Sequence, residues 1–167
     1  MLLNKKTIHS VLFWGKKNTE NFFNISLPTI LSRGNLDNQS EHIFYLMTTP
    51  QDYKSIKLNN SFKILDKRAE IKIIYLKDDL KPKFGSSAVI NAKYVIIAMN
   101  KAFDLKCGHF CWSADSIIAN NLFLRIYDKI IEGYQGVGSV GDTIQSNRKS
   151  VNFFINKKKN GIININS

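Results

Sequence analysis

The chain has 167 residues, of which 44% are hydrophobic, enough for one core and at most one full domain. Its composition excludes a collagen-like or disordered chain, and two cysteines do not make a disulfide framework. No apolar stretch approaches the roughly 20 residues of a membrane-spanning helix, and the first residues lack the apolar block of a signal peptide. We therefore expect a cytoplasmic protein.

The formal net charge of +11 is unevenly distributed, because residues 143–167 contain five basic and no acidic side chains. A basic segment of this kind can bind nucleic acid or an anionic membrane surface. However, 20 of the 24 basic residues are lysine, whereas base reading and phosphate clamping favour arginine. The composition therefore favours a solvated lysine-rich surface, and nucleic acid is the less favoured partner.

The first third of the chain has the pattern of a strand followed by a helix. The apolar run over residues 8–14 predicts a buried strand that ends at Gly15. Asn18 and Thr19 are typical helix starters, and Pro28 inside the following apolar pattern predicts a kink or two short helices. Gly34 or Asn35 is suited to the left-handed cap that ends this unit.

Two further strands follow, over residues 43–47 and 71–76. The first runs into a helix start, with Thr49 as the predicted N-cap and Pro50 at the first helical position. Residues 88–103 predict a long helix, residues 110–114 a fourth strand and residues 121–131 another helix. The side of the long helix expected to pack consists of Val89, Ala92, Val95 or Ile96, Met99 and Phe103.

Strands that alternate with helices predict an α/β fold, with a Rossmann-like, mainly parallel sheet and flanking helices. We expect one such domain over residues 1–145. Residues 146–167 form a basic, low-complexity C-terminal segment, and residues 157–167 are expected to fray or hang free.

Gly136, Gly138 and Gly141 match the dinucleotide fingerprint G-x-G-x-x-G. The fingerprint needs a strand before it and an acidic residue about 20 positions after it. Here a predicted helix precedes the glycines, and no acidic residue follows Asp142. The pattern therefore indicates a loop.

Cys107, His109 and Cys111 offer three soft ligands within five residues. On a strand, neighbouring side chains of one face are nearly 7 Å apart, too far for one zinc ion. Buried, reduced cysteines are the favoured interpretation. His9 and His109 lie in apolar strand contexts, which favours core histidines over general bases.

Asp115 follows the fourth predicted strand and precedes a helix. In open α/β sheets the ligand crevice lies beyond the carboxyl ends of the strands, so Asp115 is placed to point into it. A carboxylate there can hold a divalent cation that bridges a nucleotide diphosphate, or accept a ribose hydroxyl. The alternative is that Asp115 caps the following helix.

Taken in order, five segments resemble the N-terminal, nucleotide-sugar-binding half of bacterial glycosyltransferase-like proteins of the GT-A type. They are a strand ending at Trp14 and Gly15, a helix over residues 22–31 followed by residues 32–36, a strand ending in residues 48–52, a long helix ending in Ala102, and a strand ending in residues 113–116. The resemblance implies that Trp14, Gly15, Thr48 and Thr49 lie near the nucleoside. It places Asp115 near the diphosphate or a metal, Mg²⁺ or Mn²⁺.

Two departures qualify what the resemblance implies. The D-x-D position reads Ser113, Ala114 and Asp115, with one acid only, and the chain stops about where the acceptor-binding half would begin. We therefore expect a glycosyltransferase-like protein that binds a nucleotide-sugar donor. The sequence identifies neither its catalytic residue nor its acceptor. The protein would be a truncated frame, a split subunit or an inactive relative.

The sequence is also compatible with two other classes of protein. One is a non-catalytic basic module that binds nucleic acid or acidic lipid, with peripheral membrane contact. The other is a helper subunit that completes its fold with a partner chain.

Overall fold

A computed structural model describes residues 6–36, 41–76, 87–132, 152 and 155–163. In these residues, four strands form one sheet: β1 (Lys6–Leu12), β2 (Glu41–Thr48), β3 (Glu70–Tyr75) and β4 (Gly108–Trp112). All pairings are parallel, and the order across the sheet is β3-β2-β1-β4. The predicted α/β fold with a parallel sheet and flanking helices is confirmed, and it is consistent with a Rossmann-like fold.

The burial of the strands explains their sequence patterns. The central strands β1 and β2 are buried along almost their whole length, because both faces of the sheet are covered. Strand β3 lies at an edge and exposes Glu70, Lys72 and Tyr75. The apolar runs in the sequence therefore mark the middle of the sheet.

The first helical unit consists of α1 (Lys16–Asn21), a π-helical segment (Phe22–Ser26) and α2 (Leu27–Ile30). Pro28 has no N–H group, so the carbonyl of Asn24 cannot receive the usual helical bond. The helix widens immediately before the proline, and the Leu27 N–H bonds to the Phe22 carbonyl. The interruption predicted at Pro28 is thus a π-helical segment.

The other helices are α3 (Pro50–Ile56), α4 (Asn60–Arg68), α5 (Ser87–Asp104) and α6 (Leu122–Ile131). The predicted cap of α3 is confirmed, since Thr49 Oγ1 accepts from the Asp52 N–H at 3.1 Å and Pro50 is the first helical residue. Gly34 has the predicted left-handed conformation, with φ of 77°. None of the helices in these ranges has both the length and the apolarity needed to cross a bilayer.

The prediction of which side of α5 packs was wrong. Among the side chains of residues 90–104, the buried ones are Ile90, Tyr94, Ala98 and Ala102, which recur every four residues, whereas the side chain of Val89 lies outside the described part. The small side chains of Ala98 and Ala102 let the helix lie close against the sheet. Ile96, Met99 and Phe103 are instead exposed, Phe103 by 84%.

The sheet separates two core layers. On one face, α5 covers the even-numbered side chains of β1, such as Ile8 and Leu12. The helices α2, α4 and α6 and the π-helical segment cover the other face. Its fully buried large side chains include Phe13, Phe22, Leu27, Phe44, Leu46, Leu65 and Phe123.

The C-terminal residues 155–163 pack against this second layer. Lys159 and Ile162 form an antiparallel bridge, and the fully buried Ile163 donates its N–H to the Pro28 carbonyl at 2.9 Å. Lys158 Nζ donates to the Phe23 carbonyl at 3.1 Å, and burial lowers the pKa of Lys158. The expectation of a free tail was therefore wrong for these residues, whereas the boundary at residues 145 and 146 lies outside the described ranges.

Candidate functional site

The strand order creates one topological switch point, between β1 and β4. The connection after β1 leads to β2 on one side, whereas α5 returns the chain to β4 on the other side. Because neighbouring connections diverge there, a ligand crevice is expected beyond the carboxyl ends of these two strands. The turns that border it follow Leu12 and Trp112.

The turn after β1 is tied to the turn after β2. Gly15 has φ of 76° and ψ of 152°, and its N–H donates to Asp52 Oδ2 at 2.9 Å. Thr49 Oγ1 donates to the same carboxylate oxygen at 2.7 Å. A side chain at Gly15 would meet none of the described atoms within 4 Å, so the backbone conformation alone requires glycine here. Asp52 therefore links the turn after β1 to the turn after β2.

The turn after β4 presents the predicted carboxylate. Asp115 is exposed, and its Oδ1 accepts a hydrogen bond from Ser113 Oγ. The Ser113 N–H donates to Ser116 Oγ at 3.2 Å, which closes the turn. Helix α6 begins only at Leu122, so Asp115 is not its cap. The carboxylate is thus accessible at the switch point.

Buried polar residues of the first helical unit hold the segment between β4 and α6. Thr29 Oγ1 accepts from the Ile118 N–H at 3.0 Å. Asn35 is buried, donates to the Ala119 carbonyl at 3.0 Å, and accepts from the Phe123 N–H at 3.3 Å. Residues 27–36, which carry part of the resemblance, therefore hold in place the segment that follows Asp115.

The other residues predicted near a nucleoside differ in accessibility. Trp14 is half-buried against the α5 layer, and Thr49 is half-buried at the start of α3. Thr48 is fully buried, and its Oγ1 has no hydrogen-bond partner among the described residues. Because it is covered, Thr48 cannot line the accessible surface of the crevice.

A metal at this site would need oxygen atoms from a ligand. The described part of the chain contains no group of three or more His, Cys, Asp or Glu side chains that could hold a metal ion. Asp115 supplies one exposed carboxylate, and Mg²⁺ is commonly held by one or two carboxylates together with substrate phosphates. The residues present therefore fit a cation that arrives with a diphosphate.

Near the amino ends of the same strands, a second set of polar side chains is buried. His42 Nδ1 lies 2.8 Å from Thr7 Oγ1 and 3.1 Å from His9 Nε2. From α6, the Tyr127 hydroxyl donates to Thr7 Oγ1 at 3.2 Å. We call Thr7, His9, His42 and Tyr127 the buried histidine network.

The hydrogen bond from Trp112 determines the tautomer of His9. The indole N–H can only donate, and it lies 3.1 Å from His9 Nδ1, so this nitrogen is unprotonated and the neutral ring carries its proton on Nε2. The ring is stacked on Phe44 at 4.4 Å and on Phe110 at 5.1 Å between centroids. Burial, and then the charges of His42 and His109, lowers the pKa of His9 well below its ordinary value. His9 is a core histidine, as predicted.

His109 and Cys111 lie in β4, and Cys107 directly precedes that strand. His109 Nε2 lies 2.8 Å from Ser10 Oγ, and burial lowers the pKa of His109. Both cysteines are free thiols, but the prediction that they are buried was wrong, because Cys107 is only half-buried and Cys111 is exposed. Burial raises the pKa of Cys107, which makes its thiol less reactive.

A groove of about 350 Å³ lies at the amino ends of β2 and β3. Its lining mixes both signs of charge, with Glu41, Asp66, Lys67, Arg68 and Glu70 beside His42. It contains none of the predicted site residues, and it opens at the opposite end of the sheet from the switch point. The position of the turns, rather than this groove, therefore identifies the candidate site.

Comparison with models of protein families, with curated proteins and with solved structures gives no match. Function must therefore be argued from the site itself. The glycines at positions 136, 138 and 141 lie outside the described residues.

Sequence reasoning did not assign a role to Asp52 or to the buried histidine network. Asp52 stands three residues after Thr49, the spacing of a capping box, which is a readable signal. The sequence signal of the buried histidine network is weaker: His9 and His42 interrupt strands that are otherwise apolar.

Proposed function

We propose that the chain is a glycosyltransferase-like protein, and that its switch-point crevice binds a nucleotide-sugar donor. The observation that carries this proposal is the exposed carboxylate of Asp115 at the carboxyl end of β4, beside the central strand. In parallel α/β sheets this position is where ligands bind. The resemblance of the surrounding segments to the GT-A type supplies the chemical class.

In this proposal, different residues contact different parts of the donor. Asp115, with Mg²⁺ or Mn²⁺ brought by the ligand, would face the diphosphate, and the cation would neutralise charge on the departing diphosphate. The turn at Trp14 and Gly15, with Thr49 behind it, would face the nucleoside. Lys16 is exposed directly after Gly15, where its ammonium can add positive charge near the diphosphate.

Nucleotide titration with thermal melting tests the proposal. We expect UDP or GDP with Mn²⁺ or Mg²⁺ to raise the melting temperature, with ~2.7 kcal/mol of stabilisation at a ligand concentration 100 times Kd. The Asp115→Asn variant should lose the part of the shift that depends on metal. Asp104→Asn is the matched control, because Asp104 is an exposed carboxylate at the end of α5, near the amino end of β4.

Two results would contradict donor binding. One is no melting shift at millimolar nucleotide with either metal. The other is an Asp115→Asn variant whose metal-dependent shift equals that of Asp104→Asn.

A further inference from the structure

The C-terminal turn at residues 159–162 lies against the start of α4. Ser61 Oγ donates to the Gly161 carbonyl at 2.8 Å, and this contact is buried. A side chain at Gly161, whose φ is 85°, would come within 2.9 Å of Ile64 Cδ1 and 3.3 Å of the Ser61 nitrogen. The turn is therefore held closely against the first turn of α4, which directly follows the loop from α3.

This contact brings together two lysine-rich segments that are about 100 residues apart. Residues 54–65 and 155–163 contain three lysines each and no aspartate or glutamate. Five of the six lysines are exposed, whereas Lys158 is half-buried. We call the following exposed side chains of these two segments the lysine surface: Lys54, Lys57, Leu58, Lys63, Ile155 and Lys159.

Two carboxylates stand next to the first of these segments in the sequence, Asp52 and Asp66. Asp52 is directed to the Gly15 N–H and the Thr49 hydroxyl at the switch point. Asp66 lines the groove at the amino ends of β2 and β3. The contact between Ser61 and Gly161 therefore joins two segments whose charged side chains are all lysines, which favours attraction to anions.

Apolar side chains stand within the same surface. Leu58, in the loop between α3 and α4, is 80% exposed, and Ile155 is 42% exposed. Lys57, the preceding residue in the chain, has its ammonium 5.0 Å from the centroid of the Tyr53 ring. An exposed leucine among lysines combines apolar insertion with attraction to anions.

We propose that the lysine surface binds the face of an anionic phospholipid bilayer, with Leu58 inserted among the lipid headgroups. Every cation of the surface is lysine, whereas nucleic-acid recognition favours arginine. An exposed leucine also gains little from a phosphate backbone but gains from contact with acyl chains. This inference does not depend on donor binding, because the lysine surface does not include the switch-point residues.

Vesicle sedimentation with the full chain tests the proposal. We expect binding to phosphatidylcholine vesicles that contain phosphatidylglycerol, and little binding to phosphatidylcholine alone. Added salt should weaken the binding, because the attraction between charges is screened.

The decisive variant is Lys57→Glu with Lys159→Glu, which reverses one charge in each segment. Since one lysine near an anionic membrane contributes about fivefold, we expect affinity for the acidic vesicles to fall at least ~25-fold. Lys93→Glu with Lys101→Glu is the matched control, since both lysines are exposed on α5, on the opposite face of the sheet. Its loss should be less than about threefold.

A second pair of variants tests the apolar contribution of Leu58 to vesicle binding. Leu58→Ser should weaken vesicle binding by about tenfold, because the leucine no longer enters the membrane. Phe103→Ser removes a comparably exposed apolar side chain from α5 and should leave binding unchanged.

Three outcomes would overturn the proposal: equal losses in the two charge-reversal variants, equal binding to neutral and acidic vesicles, or no effect of Leu58→Ser. Tighter binding to DNA or RNA than to acidic vesicles at the same salt concentration, lost in the Lys57→Glu, Lys159→Glu variant, would assign the surface to nucleic acid instead. Nucleotide-induced melting shifts can succeed or fail independently of each of these results.

Discussion

The two ends of the sheet use polar side chains in opposite ways. At the carboxyl end, Asp115 is exposed in a turn with a serine as its neighbour. Near the amino end, Thr7, His9 and His42 are buried and bond to one another. A buried polar group must find a partner within the protein, whereas an exposed group can be satisfied by water or a ligand. The comparison separates groups that hold the fold from groups available for binding.

The largest expected effect is at the buried end. His9→Ala removes a ring stacked between Phe44 and Phe110, and leaves the Trp112 indole N–H without its acceptor. We expect the free energy of unfolding to fall by about 3–5 kcal/mol, measured by urea denaturation. His9→Phe keeps the stacking but loses the acceptor, so its cost should be about 1–3 kcal/mol. A loss below 1 kcal/mol in His9→Ala would contradict the structural role of this ring.

The second expected effect is a loss of stability in acid. The pKa of His9 is lowered in the folded protein, so the unfolded chain binds more protons below the ordinary value near 6.5. The contribution of His9 to the free energy of unfolding is therefore complete above about pH 6.5. It falls as the pH drops below that value, by up to about 1.4 kcal/mol per pH unit. His109 acts in the same direction, because burial also lowers its pKa.

Urea denaturation at a series of pH values measures this slope. The His9→Phe variant should show a shallower decline between about pH 6.5 and 5. Equal slopes in the variant and the original chain would mean that other groups determine the acid sensitivity.

The smallest expected effect on stability is at the exposed end. Thr49→Val removes the cap of α3 and the hydroxyl that donates to Asp52, which should cost about 1 kcal/mol in urea denaturation. Ser55→Ala is the control, because its hydroxyl only donates to a backbone carbonyl on the exposed side of α3. If Thr49→Val lowered the free energy of unfolding by more than about 3 kcal/mol, this turn would be as important for stability as the buried histidine network, which would contradict the comparison.

Local patterns predicted much of the fold because they depend on neighbouring residues. Thr49 and Pro50 mark the start of α3, since a cap needs only a side-chain oxygen and a nearby N–H. Pro28 marks an interruption because its missing N–H acts within one helical turn. On α5, by contrast, both sides carry apolar residues, and the sequence did not show that Ala98 and Ala102 allow the closer approach to the sheet.

The candidate site was only partly predictable for the same reason. The expected exposure of Asp115 follows from its place after a strand, but the burial of Thr48 depends on packing around the sheet. The bond from Gly15 to Asp52 joins residues that are distant in sequence, so no local pattern specifies it.

The sequence by itself determined the alternation of strands and helices, the cap at Thr49 and the position of the carboxylate at Asp115, because each rests on periodicity or on contacts within a few residues. Only the tertiary structure decided that β4 lies beside β1, that Thr7, His9 and His42 share one buried network, and that residues 155–163 lie against α4. The physical reason is that these arrangements arise when distant segments bury apolar surface together and satisfy each other's hydrogen bonds.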